Sequence, residues 1–89
     1  MLLIIELDLS GFNTSNVKYM GGMFNSCVSL EELDLDNFDT SNVEFMYEMF
    51  CDCKSLVNLK ISNFNMDKVI DKERMFYNCH QNIKYLEEN

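Results

Sequence analysis

Apolar positions recur along this chain at one fixed distance. Leu7, Leu33 and Leu59 lie 26 residues apart, and the same offset links Leu9, Leu35 and Ile61. It links Phe12, Phe38 and Phe64, then Val17, Val43 and Val69, then Met23, Met49 and Met75. Phe24, Phe50 and Phe76 keep it, as do Cys27, Cys53 and Cys79. Identity recurring at such a distance is the mark of a repeat whose copies stack on one another.

Within a unit the pattern changes period. Ile4, Leu7 and Leu9 open the first, Leu30, Leu33 and Leu35 the second, Leu56, Leu59 and Ile61 the third. Their Leu-x-Leu alternation predicts a short strand. Ser10-Gly11, Asp36-Asn37 and Ser62-Asn63 then predict a turn. A helix is expected next. Ser15, Ser41 and Asp67 share a column and suit an N-cap, and Ser41 with Glu44 fits a capping box. Val43, Met46, Phe50 and Cys53 follow at helical spacing. One strand–turn–helix unit cannot bury its apolar face, whereas a stack builds a continuous core. The expected fold class is α/β: a short solenoid with one parallel strand plus a short helix per 26-residue coil. The expected organisation is a single solenoid domain over 1–89, with a partial coil at 1–6, repeats at 7–32, 33–58 and 59–85, and a C-terminal strand and tail at 86–89. The third repeat aligns best with one inserted residue, so that Leu86 takes the place of Leu59.

Composition narrows the function. The 89 residues carry a formal charge of −8 at pH 7. Binding to nucleic acid or an anionic membrane needs clustered Lys and Arg, so neither is expected as a partner. No segment approaches the ~20 apolar residues of a membrane span, so no membrane insertion by this segment is expected. The apolar start, Met1 to Ile5, lacks a basic n-region and the length of a signal-peptide core, so no export signal is expected in the chain shown. Neither a Gly-rich phosphate loop nor a calcium loop is present. Gly21-Gly22 falls in the helix-like stretch of one unit only.

The cysteines invite chemistry. Cys27, Cys53 and Cys79 read as a column of buried thiols packed as small hydrophobes, with a disulfide between neighbouring coils as the alternative. Cys51 breaks the column and is expected to point outward. Cys51, Cys53, Cys79 and His80 form the distant alternative of a metal site, against which stands the Cys-x-Cys spacing. His80 is expected to be solvated, with no sequence motif marking it as a base. No catalytic residue and no cofactor is expected.

The outward positions of the strands are the better candidates. Glu6, Asp8 and Ser10 fall there in the first unit, Glu32, Asp34 and Asp36 in the second, and Asn58, Lys60 and Ser62 in the third. They predict a face for a protein partner with a basic surface, or else a solvated face. The first strand, with Ile4, Ile5, Leu7 and Leu9, has no capping unit before it. It is expected to support end-to-end self-association, or to mark a fragment of a longer array.

The phrases Leu33-Asp34-Leu35-Asp36-Asn37-Phe38-Asp39-Thr40-Ser41-Asn42-Val43 and Met46-Tyr47-Glu48-Met49-Phe50 resemble the repeat of a known family. This is the BspA-like leucine-rich repeat of bacterial surface proteins, also seen in Listeria, Enterococcus and mycoplasma lipoproteins. The resemblance covers nearly the whole chain and weakens in the third unit, where Met66-Asp67-Lys68 replaces Thr-Ser-Asn. It implies a non-catalytic module at the cell surface or outside the cell, used for protein–protein recognition or adhesion, including binding of host proteins. The alternative is a structural spacer with no ligand of its own.

Overall fold

The computed structural model describes residues 6, 7, 9, 11–81 and 83. The alternating Leu-x-Leu segments form three short strands: β1 (Glu6–Leu7), β2 (Glu32–Asp34) and β3 (Asn58–Lys60). They make one parallel sheet in the order β1-β2-β3. Leu7 lies opposite Leu33, and Leu33 opposite Leu59, so the sheet register equals the sequence repeat. In β2 and β3 the central leucine is buried and its two neighbours are exposed. A second line of parallel contact runs through the bridge pairs Tyr19–Phe45 and Phe45–Asp71.

The expected helix-plus-strand solenoid is overturned. Among the described residues there is no helix; strands and turns make up every unit. The body measures 30 × 27 × 25 Å with a radius of gyration of 12.2 Å. A compact domain of this length should have a radius of about 12 Å. The chain is therefore a small globule rather than a curved array.

Backbone geometry explains the missing helix. Gly22, Glu48 and Arg74 share a column and all have positive φ (67°, 54° and 56°). Ser26, Asp52 and Asn78, four residues further on, do the same (66°, 63° and 60°). A left-handed residue stops a right-handed helix, and here two fall four residues apart in each unit. The N–H groups are also used elsewhere. Those of Met20, Gly22, Phe24 and Ser26 donate to the carbonyls of Phe45, Tyr47, Met49 and Cys51 at 2.7–2.9 Å. Met46, Glu48, Phe50 and Asp52 donate likewise to Asp71, Glu73, Met75 and Tyr77 at 2.8–2.9 Å. Bonds to the next unit replace bonds within a helix.

The expected caps are corrected with it. Ser15, Ser41 and Asp67 start no helix. Their N–H groups donate to the side chains of Asn13, Asp39 and Asn65, two residues earlier. These are Asx turns, in which a side-chain oxygen stands in for a backbone carbonyl. The proposed capping box fails too, since the Glu44 N–H donates to the Lys18 carbonyl in the unit before. Gly21 lies in a turn under the ring of Tyr47, where a Cβ would strike the ring.

The core runs through all three units. Leu30, Leu33, Leu35, Phe38, Val43, Met46, Met49, Phe50, Cys53 and Leu56 of the central region are almost wholly buried. Phe24, Phe50 and Phe76 stack with centroids 5.8 and 5.4 Å apart and planes within 9°, an arrangement that adds about 0.5–1.5 kcal/mol per pair beyond burial. Buried threonines supply the polar rungs. The Thr14 hydroxyl donates to the Asp39 carbonyl and accepts from the Asp39 N–H. Thr40 makes the same pair with Asn65.

Candidate functional site

The outward strand face is assembled by the register of the sheet. Glu32 stands opposite Glu6 on one side and Asn58 on the other, and Asp34 stands opposite Lys60. Glu32, Asp34, Asn58 and Lys60 are all exposed. Asp34 and Lys60 approach to 4.0 Å with both side chains largely in solvent, a pair worth little in water. The side chains of Glu32 and Asn58 meet no hydrogen-bond partner among the described residues.

The third column differs. Asp36 is half-buried and accepts from the N–H and hydroxyl of Ser62 through one carboxylate oxygen, at 3.2 and 2.9 Å. Its own N–H donates to Asp34. Asp36 and Ser62 thus join the second unit to the third. Asp8 and Ser10 lie outside the described residues, as do Ile4, Ile5 and Leu86. Glu6 enters through its backbone position in β1 alone.

Most other exposed polar side chains named by the repeat serve the fold. Asn42 donates to the Ser15 carbonyl and accepts from Lys68. Asn37 donates to the Leu9 carbonyl, and Asn63 to the Asp36 carbonyl. Asp39, held by the hydroxyl and N–H of Ser41, has its carboxyl kept below the usual carboxylate range. The sequence reading missed this inter-unit use. Its signal was legible in the recurrence of Asn37 and Asn63 at the 26-residue interval.

The thiols depart from expectation. Cys51 is buried, not outward: it lies in the central unit, where its carbonyl accepts from Ser26 of the first unit and the next N–H, of Asp52, donates to Tyr77 of the third. Cys53 is fully buried, while Cys27 and Cys79 are only half-buried. The Cys53 thiol donates to the Phe24 carbonyl and the Cys79 thiol to the Phe50 carbonyl, each at 3.0 Å. All four are free thiols. Burial pushes Cys53 up to about 12, and burial also raises Cys27, Cys51 and Cys79. His80 is half-buried rather than solvated. Among the described residues no three His, Cys, Asp or Glu side chains converge as a metal site would require. No helix among them is long and apolar enough to cross a membrane.

No significant match was found among curated proteins or solved structures. The model of the family described as "Mycoplasma protein of unknown function, DUF285" matches residues 4–88. That span takes in all three strands, both threonine rungs and the whole exposed face, and the chain belongs to this family.

Proposed function

We propose that the chain is a non-catalytic recognition module that engages a protein partner of basic surface through the outward face of β1–β3. The observation that carries this reading is a contrast in how polar side chains are used. Asn37, Asn42, Asp36, Asp39 and both buried threonines are committed to bonds that hold the chain together. Glu32 and Asn58 are not, and Asp34 accepts the Asp36 N–H through one oxygen while the other faces Lys60 in a solvent-exposed pair. Carboxylates held on a rigid sheet at fixed register are suited to a basic surface, and they favour fast association over tight binding. The resemblance to the BspA-like leucine-rich repeat of bacterial surface proteins supports the same reading and suggests a place at the cell surface or outside the cell. Adhesion to a host protein is the role that this resemblance suggests.

The test uses a small basic protein, cytochrome c, as a probe at low ionic strength. Binding should weaken by roughly tenfold or more in the double variant Glu32→Lys, Asp34→Lys, because reversal adds repulsion to the lost attraction. Reversal of Glu31 and Asp67, also exposed, should have little effect. Equal loss in both variants would mean that net charge alone attracts the probe. Absence of binding in the parent would leave a structural spacer.

A further inference from the structure

We infer that the face of the first unit turned away from the second is an acceptor for the third unit of another copy of this chain, joined head to tail. The direction of the backbone hydrogen bonds carries the argument. At four successive alternate positions, the first and the second unit each donate N–H groups to the carbonyls of the unit after them. The carbonyls at the equivalent positions of the first unit belong to Tyr19, Gly21, Met23 and Asn25. None of them receives a hydrogen bond from a described residue. At the other end the matching series is Lys72, Arg74, Phe76 and Asn78; Phe76 is engaged, and the N–H groups of Lys72, Arg74 and Asn78 meet no acceptor among the described residues. One end offers acceptors and the other donors, at the spacing that already joins the units within the chain.

One rung runs the other way and fits equally. Glu44 and Phe45 donate back to the Lys18 carbonyl, and Ile70 and Asp71 donate back to the Glu44 carbonyl. The next members of that series are the N–H groups of Lys18 and Tyr19 and the carbonyl of Ile70. They too are unengaged among the described residues, on opposite ends.

Side-chain exposure points to the same surface. Phe12 is 57% exposed, whereas Phe38 in the same column is 2%. Met23 is 40% exposed, whereas Met49 is 0%. Tyr19, stacked on Phe45 at 5.0 Å, leaves its other face to solvent and is 69% exposed. Two such ends would pair heterologously, and a heterologous contact that does not close gives open chains rather than a fixed dimer. Two first-unit faces could not pair in this way, since carbonyl would meet carbonyl. The net charge of −8 opposes approach of two copies, so contact should strengthen as salt screens it.

The experiment is sedimentation velocity over a range of protein and salt concentrations, on the parent and two variants. Met23→Glu places a carboxylate on the first-unit face, where desolvation would weaken contact roughly tenfold or more. Ile70→Lys acts on the third-unit face, where the added charge would meet Lys18 of the other copy. Both residues are exposed, and the far-UV spectrum of each variant should match the parent. The parent should exceed its 10.5 kDa monomer without stopping at a dimer. Each variant alone should be a monomer, and an equimolar mixture of the two should form dimers and nothing larger. A parent that stays monomeric at high concentration and high salt overturns the inference. So does continued association of Ile70→Lys alone, which would show that first-unit faces pair with each other. If either variant loses the parent spectrum, Tyr19→Glu and Tyr77→Lys replace them with the same expected pattern.

Discussion

A buried thiol in this chain has two roles, filling space and satisfying a carbonyl. Cys53 does both: it is sealed within the central unit and its Sγ donates to the Phe24 carbonyl. Its proton is held until about pH 12, chiefly because burial disfavours the thiolate. The folded state therefore keeps a proton that the unfolded chain releases at the ordinary thiol value. The associated stability is intact below that value, and is lost as pH rises from there toward about 12. Timed alkylation of the folded protein should label Cys27 and Cys79, both half-buried, ahead of Cys51, with Cys53 last. Raising the pH through the ordinary thiol range should accelerate Cys27 and Cys79 while Cys53 stays silent until the chain begins to unfold. Early labelling of Cys53 at neutral pH would contradict the burial that sets its pKa.

At the scale of the element, the repeat and its strands were legible in the chain and the linking segment was not. Leu-x-Leu at a 26-residue interval led to parallel strands in register, and the outward side of that alternation led to Glu32, Asp34, Asn58 and Lys60. The apolar spacing of Val43, Met46, Phe50 and Cys53 suited a helix, but a series of turns buries the same positions. Local periodicity cannot tell these apart, because what decides is the neighbouring unit. Once each alternate N–H has a carbonyl in the next unit, a helix would forfeit those bonds. Ser26, Asp52 and Asn78 were a cue for left-handed backbone; Glu48 and Arg74 were not, since their residue types seldom adopt it. That mismatch is testable. Glu48→Gly should stabilise the protein by about 0.5–1 kcal/mol, relief of left-handed strain outweighing the entropy that glycine loses on folding. Gly22→Ala, in the same column, should destabilise it by about 1–2 kcal/mol. Thermal unfolding of both variants decides this. A fall in stability for Glu48→Gly would mean that the bond from Asn25 to the Glu48 carboxylate, at 3.4 Å, matters more than the backbone strain.

For the whole molecule, the balance lies between a core shared by three units and a charge shared by none. A domain of this size is only marginally stable. The core is deepest in the middle unit, where Phe38, Val43, Met46, Met49, Phe50 and Leu56 are all nearly inaccessible. Against it stands a net charge of −8, while the ion pair found among the described residues, Asp34–Lys60, is long and exposed. Repulsion among carboxylates should therefore outweigh attraction between opposite charges, and salt should stabilise the fold by screening the repulsion. The measurement is the melting temperature at about 10 mM and about 150 mM sodium chloride, between which the screening length falls from ~30 to ~8 Å. It is best made on Met23→Glu at low micromolar concentration, so that association between copies does not contribute. A rise of several degrees is expected, at about 4–8 °C for each kcal/mol recovered. Double reversal at Glu32 and Asp34 on the same background, which takes the formal charge from −9 to −5, should shrink the salt dependence. A melting temperature that falls with added salt would show that exposed ion pairs, rather than the core, hold the units together.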